Sequence, residues 1–233
     1  MKNILILDTE TTGDFGSPMI YDFGYRIINP QGEVLLTRNC LISEVFDTKF
    51  LMDKAFYAKK FNAYLIAWDK GEIEKISFRI ALKRFITDIR KYKVEVVAAY
   101  NLAFDVRALN QTMRLFDSPN FDKKILEKLF SQKNKKLLCI WNLACETVLN
   151  TDEYRAYCQA DPEVFISEAG NYKTSAESAY RYLIKQNDFE ESHTALSDVD
   201  IEIKILLDIL NNYDGVISYG LHYGSWQKVQ KRV

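Results

Sequence analysis

Apolar and polar positions alternate along this chain in two rhythms, one of strands and one of helices. Ile4-Leu5-Ile6-Leu7 is a short apolar run closed by Asp8, with a turn opening at Thr11-Thr12-Gly13, and it predicts a buried strand. Ile20 to Ile28 and Val34 to Ile42 flank the turn-forming cluster Asn29-Pro30-Gln31-Gly32 and predict an antiparallel hairpin. From about Leu51 the spacing becomes helical, with Gly71 as a stop. Ser77 is placed to cap a second helix whose Phe78, Leu82, Phe85 and Ile89 share a face. Val94 to Ala99 is short and β-branched, as a central strand would be. A helix from about Phe104 to Phe116, a strand over Leu137 to Trp141 and a helix over Leu143 to Leu149 follow. Thr174-x-x-Glu177 reads as a capping box, and Ala195 to about Leu210 as a long helix with one apolar face. Strands paired as hairpins and then alternating with helices imply an α/β fold, a mixed five-stranded sheet flanked by helices. Residues 213–233, which carry Lys228, Lys231 and Arg232, read as a C-terminal extension.

Composition narrows the class. The 233 residues are 48% apolar and 27% charged with four prolines and nine glycines, as expected of one folded domain and not of a disordered or fibrous chain. The longest apolar run, Ala63 to Trp68, is far short of the roughly 18 to 20 residues that span a bilayer, so no membrane partner is expected. Met1-Lys2-Asn3 and the four apolar residues before Asp8 lack the pattern of a secretory signal, and the expected location is cytoplasmic. Cys40, Cys139, Cys145 and Cys158 form no Cys-x-x-Cys pair, so they are expected in the core and not around zinc. A net charge of −1 gives the molecule no general attraction for a polyanion, which would need local basic patches or bound cations.

Three short stretches carry candidate chemistry. Asp8 and Glu10 stand two apart at a strand end, and in extended backbone such side chains lie on one face; alone, the pair is equally a solvated strand end. Asn101-Leu102-Ala103-Phe104-Asp105 follows the central strand and delivers Asp105 to a strand-to-helix junction, where open α/β sheets place ligands and where an aspartate also caps a helix. His193, one of two histidines, precedes Asp198 by five positions at the entrance to the last helix, where either residue could equally serve the helix terminus. Asp200 and Glu202 are close to Asp198 but are expected to face solvent or the helix flank.

Taken together, these stretches resemble the DEDD 3′–5′ exonucleases, in particular the histidine subgroup that includes the proofreading subunit of bacterial DNA polymerase III. The first motif appears as Asp8-Thr9-Glu10-Thr11-Thr12-Gly13, the second as Asn101 to Asp105 and the third as His193 to Asp198. The sister subgroup would place tyrosine where Thr194 stands. Over residues 3 to 212 the resemblance implies a ribonuclease H-like exonuclease domain. It implies that Asp8, Glu10 and Asp198 hold one divalent ion and that Asp8 with Asp105, directly or through water, holds a second. His193 is then the base that takes a proton from the attacking water.

The donor chemistry agrees. Carboxylates gathered in one cleft raise one another's pKa unless cations lie between them, and hard oxygen donors favour Mg²⁺ or Mn²⁺. Two such ions about 4 Å apart can clamp the attacking and leaving oxygens of a phosphodiester displacement. The implied substrate is single-stranded nucleic acid with a free 3′ end, DNA favoured, cut to nucleoside 5′-monophosphates. An exoribonuclease trimming RNA, or a silent nucleic-acid-binding or polymerase-partner module, is the alternative. No polymerase fits within 233 residues, so a polymerase or replication partner would be separate. By the same resemblance Thr9, Thr11, Phe15 and Asn101 are substrate-binding candidates, Thr11 through its backbone and Phe15 by stacking on a base, although core packing is the other use of such a phenylalanine. Lys123-Lys124 and Lys133-x-Lys135-Lys136 are candidate phosphate contacts or plain solvated surface.

Overall fold

The computed structural model describes residues 3–13, 17–55, 57–116 and 135–230. Phe15, Lys123, Lys124, Lys133, Lys231 and Arg232 therefore lie outside the described residues. Six strands form one mixed sheet among those residues: β1 (Ile4–Thr12), β2 (Met19–Ile28), β3 (Val34–Ile42), β4 (Glu74–Ile76), β5 (Val96–Ala99) and β6 (Lys136–Cys139), in the order β4-β3-β2-β1-β5-β6. The first three are antiparallel neighbours, while β5 runs parallel to both β1 and β6. The α/β class and the ribonuclease H-like arrangement hold. The sixth strand is the correction to five: Glu74-Lys75-Ile76 has no apolar alternation to announce it and pairs along one side only, parallel to β3.

The helices are α1 (Ser43–Phe46), α2 (Lys49–Met52), α3 (Phe61–Asp69), α4 (Phe78–Lys91), α5 (Leu102–Phe116), α6 (Ile140–Glu146), α7 (Asp152–Ala160), α8 (Pro162–Phe165), α9 (Ala176–Ile184) and α10 (Ala195–Asn212). Ser77 caps α4 as expected, its side chain accepting from the Ile80 N–H. The helical stretch foreseen from Leu51 is broken before α3, because Ala55 leaves the helix to pair with Thr12 at the end of β1. The capping box foreseen at Thr174 does not form, and the helix is capped one residue later. Ser175 caps α9, while Thr174 Oγ1 accepts from the Trp141 indole at 2.9 Å and Glu177 pairs with Arg181. Residues 213–216 are exposed, and the chain from Ile217 to Val229 returns to the β6 edge and α6. Gly220 N–H donates to the Leu137 carbonyl, Lys228 reaches Asn142 and Val229 is fully buried.

Side-chain alternation along β1 places the chemistry. Leu5 and Leu7 pack with Phe23, Phe85, Leu109 and Met113 on the face covered by α4 and α5. Ile4 and Ile6 pack with Leu143, Val199, Ile203 and Leu206 on the opposite face, under α6 and α10. Continuing that parity, Asp8 and Glu10 emerge on the α10 side and Thr9 on the α5 side. All four cysteines are buried and unpaired, as expected of small core residues.

The start of α10 is held against β2 at close range. Ala195 N–H donates to Asp22 Oδ2 at 3.0 Å, and the Tyr64 hydroxyl donates to the same oxygen at 2.8 Å. Gly24, opposite Asp8 in the β1–β2 register, makes the approach possible: a Cβ there would lie 2.7 Å from the Ala195 carbonyl carbon and the Leu196 nitrogen. Both are backbone atoms and neither can rotate away. Overpacking of this kind costs about 1–3 kcal/mol. Gly24→Ala is therefore expected to lower the melting temperature by roughly 3–10 °C in a thermal melt; an unchanged melt would contradict this packing.

Candidate active site

A cleft of about 610 Å³ opens where β1, β5 and α10 meet, and its walls include Asp8, Glu10, Asn101, Asp105, His193 and Asp198. Three segments far apart in sequence are thus brought to one place. Carboxylate oxygens of Asp8, Glu10 and Asp198 all lie within 4.8 Å of one another, and donor atoms of His193, Asp198 and Glu191 do likewise. Asp198 is common to both groups, which ties the imidazole to the carboxylates. Asp8 and Glu10 reach this point from within β1, which continues to Thr12 and so does not close at Asp8 as expected. Asp198 does so from the first turn of α10, where Thr194 and Ser197 form a reciprocal cap.

Asp105 lines the cleft just after β5, as its place at the strand-to-helix junction suggested, but it does not cap the helix. The helix begins at Leu102 and not near Phe104, so Asp105 lies inside its first turn and is not the cap. Thr9 Oγ1 donates to Asp105 Oδ1 at 2.8 Å, and the Thr9 backbone N–H donates to the same carboxylate. The Thr9 side chain is therefore committed to aiming Asp105 into the cleft. Asn101 is exposed on the cleft wall. Thr11 is half-buried opposite Ile20, beyond a register shift that follows Glu10, and it does not line the cleft.

Electrostatically the site is overloaded with acid. Burial, reinforced by Asp105, Glu202, Glu10 and Asp198, holds the Asp8 carboxyl well above the usual range. Burial with Asp198 pushes Glu10 to about 9, and burial raises Asp105 to about 7 and Asp198 to about 6 despite hydrogen bonds from Thr9 and Ser197. Asp8 and Glu10 therefore keep their protons at neutral pH unless cations join the site. All the donors are oxygen apart from one imidazole, and Mg²⁺ or Mn²⁺ fits such a set. Burial and the Lys60 ammonium lower the His193 pKa, so the ring is neutral near pH 7.

Three features escaped sequence reading. Glu191 places Oε2 3.5 Å from His193 Nδ1, and its carboxyl is pushed to about 8, chiefly by burial. Tyr57 stacks on the imidazole at 4.3 Å between centroids. Glu202 is 2% exposed and lines the cleft, whereas only Asp200 behaves as expected, on the flank and paired with Arg26 at 2.9 Å. Helical geometry is the reason, and it was the signal available: i+4 from Asp198 returns to the same face, and i+2 does not.

Escherichia coli Exonuclease I in complex with a dA16 oligonucleotide superposes with a TM-score of 0.57 at 14% identity, over 91% of this chain and 41% of that one. A cell-death related nuclease, CRN-4, gives 0.54 at 13% over 91% and 64%. A 3′-exonuclease described in 3′-end-specific recognition of histone mRNA stem-loop gives 0.56 at 12% over 91% and 83%. The chain has the fold of these nucleases. It spans about two-fifths of the Exonuclease I chains it matches. No sequence-family profile and no curated protein sequence matches it. Among the described residues no helix is long and apolar enough to cross a membrane.

Proposed function

We propose that this protein is a divalent-ion-dependent 3′–5′ exonuclease of the histidine subgroup, releasing nucleoside 5′-monophosphates from single-stranded nucleic acid, with DNA favoured. The observation that carries the reading is the approach of Asp8, Glu10 and Asp198 oxygens to within 4.8 Å, with His193 grouped on the same Asp198. The fold shared with nucleases, one of them in complex with a DNA oligonucleotide and another in recognition of an RNA stem-loop, supports it.

Asp8, Glu10 and Asp198 would hold one ion, and Asp8 with Asp105 a second, and the Lys60 ammonium eases the charge on Glu10 and Asp198. When bound, Mg²⁺ or Mn²⁺ supplies charge neutralisation for the scissile phosphate and its leaving oxygen. The chain's own residues do the rest. Thr9 fixes the Asp105 carboxylate, so that position is set before substrate arrives. His193, neutral near pH 7, accepts the proton of the attacking water. Asn101 and Tyr57, which line the cleft, would meet the terminal nucleotide.

The test is degradation of 3′-labelled and 5′-labelled single strands, as DNA and as RNA, with Mg²⁺, Mn²⁺ or chelator. The 3′ label is expected to leave at once as a 5′-mononucleotide, while the 5′-labelled strand shortens progressively, fastest for DNA. A chelator should stop both. Cleavage that survives chelation contradicts the ion site, and tight binding with no cleavage under any ion identifies a silent binding module instead.

A further inference from the structure

We propose that Glu202 is a fifth carboxylate of the ion site, acting on the ion beside Asp105 as a charge and as an acceptor for the water that ion retains. The inference rests on the exonuclease reading above and adds to it a residue outside the three sequence motifs.

Position and packing both argue for it. Glu202 lies one helical turn beyond Asp198 on α10, faces the cleft and is 2% exposed. One of its oxygens accepts the Tyr100 backbone N–H, at the end of β5. The other, Oε2, is buried with no hydrogen-bond partner. The largest charge effects on it come from Asp105, Asp198 and Glu191, all acidic, and none of the ion pairs among the described residues includes it. Its neighbours along α10, Ile201, Ile203, Ile205 and Leu206, are core residues, and an apolar side chain at 202 would extend that core. A buried acid surrounded by acids is a costly substitute for leucine, and it becomes favourable only when a cation shares the space.

Glu202 does not belong to a group of donors lying within 4.8 Å of one another, as Asp8, Glu10 and Asp198 do. The geometry therefore points to action through a coordinated water. Mg²⁺ and its congeners keep several waters, and an acceptor in this second layer typically changes affinity 10- to 100-fold.

The experiment is a Mn²⁺ titration of the full chain, followed by electron paramagnetic resonance and calorimetry without substrate, on wild type, Glu202→Gln and Asp8→Asn. Glu202→Gln, which keeps the shape and removes the charge, is expected to weaken one Mn²⁺ binding event by roughly 10- to 100-fold and leave any other within a few-fold. Glu202→Asp, which keeps the charge, should fall nearer wild type. If Glu202→Gln and wild type give superimposable isotherms while Asp8→Asn loses Mn²⁺, the proposal fails and the exonuclease reading stands. If Asp8→Asn also binds Mn²⁺ as wild type does, that reading fails as well. Should Glu202→Gln fold poorly, Glu202→Leu, which removes the charge and extends the apolar face of α10, decides: Mn²⁺ affinity within a few-fold of wild type would make Glu202 a packing residue and overturn the proposal.

Discussion

Asp8→Asn is expected to melt above wild type when divalent ions are removed, and to cleave nucleic acid at least roughly 10³-fold more slowly when they are restored. Both effects have one cause. Asp8 is pushed upward by burial first and then by Asp105, Glu202, Glu10 and Asp198, so in the ion-free protein its charge is opposed from every side. An amide of equal size removes that repulsion. It also removes the one carboxylate assigned to both ions, and losing preorganised stabilisation of transition-state charge is among the largest single effects a substitution has on turnover. Strain concentrated at a functional site behaves in this way. Differential scanning fluorimetry with chelator and single-turnover cleavage with Mn²⁺ test the two halves together. A variant that is less stable and fully active would contradict the placement of Asp8.

The same charges set the sign of the pH dependence. Glu10, Asp105, Asp198 and Glu191 have folded-state values of about 9, 7, 6 and 8, all above those of an unfolded chain. Between about pH 5 and 9 the folded, ion-free protein thus holds more protons than the unfolded one. Stability must fall as pH rises through that window. Each proton so retained is worth about 1.4 kcal/mol per pH unit. In Asp8→Asn this slope should be shallower, since one repelling charge is gone, and in Mn²⁺ it should flatten for wild type because the ions hold the carboxylates ionised.

How much of this was written in the sequence depends on the range of the interaction. The unbroken apolar run Ile4 to Leu7 and the period near four along Phe78 to Ile89 are local, and β1 and α4 follow from them. Asp8, Glu10, Asp105, His193 and Asp198 could be named because each sits in a short motif, although β1 runs on to Thr12, so Asp8 and Glu10 lie inside the strand and not at its end. What α10 does with Glu202 was harder, because its face is fixed by α10 packing on Ile4 and Ile6, contacts some 200 positions apart in the chain. Thr9 was legible as a neighbour of the motif but not as the residue that aims Asp105, a bond between positions separated by 96. β4 was invisible for the opposite reason. Its three residues are a strand only because β3 offers an open edge.

His193→Ala is expected to lower turnover by roughly 10² to 10⁴ while leaving oligonucleotide affinity within a few-fold. The ring is held on two sides, by Tyr57 stacked at 4.3 Å and by Glu191 3.5 Å from Nδ1, and it shares a donor cluster with Asp198. Glu191 keeps its proton to about pH 8 in the ion-free site, so there it supports the ring without fixing a positive charge on it, and His193 stays free to accept a proton. The backbone adds a second measurement. His193 has φ of 49°, a left-handed conformation that costs a non-glycine residue about 1–2 kcal/mol. His193→Gly should therefore match His193→Ala in its loss of rate but exceed it in melting temperature. A merely structural histidine would give another pattern, in which binding and stability fall together and the low-pH limb of the rate profile stays where it was. Added imidazole should restore part of the rate to either variant, because the cleft is open to small molecules and what has been removed is a proton acceptor.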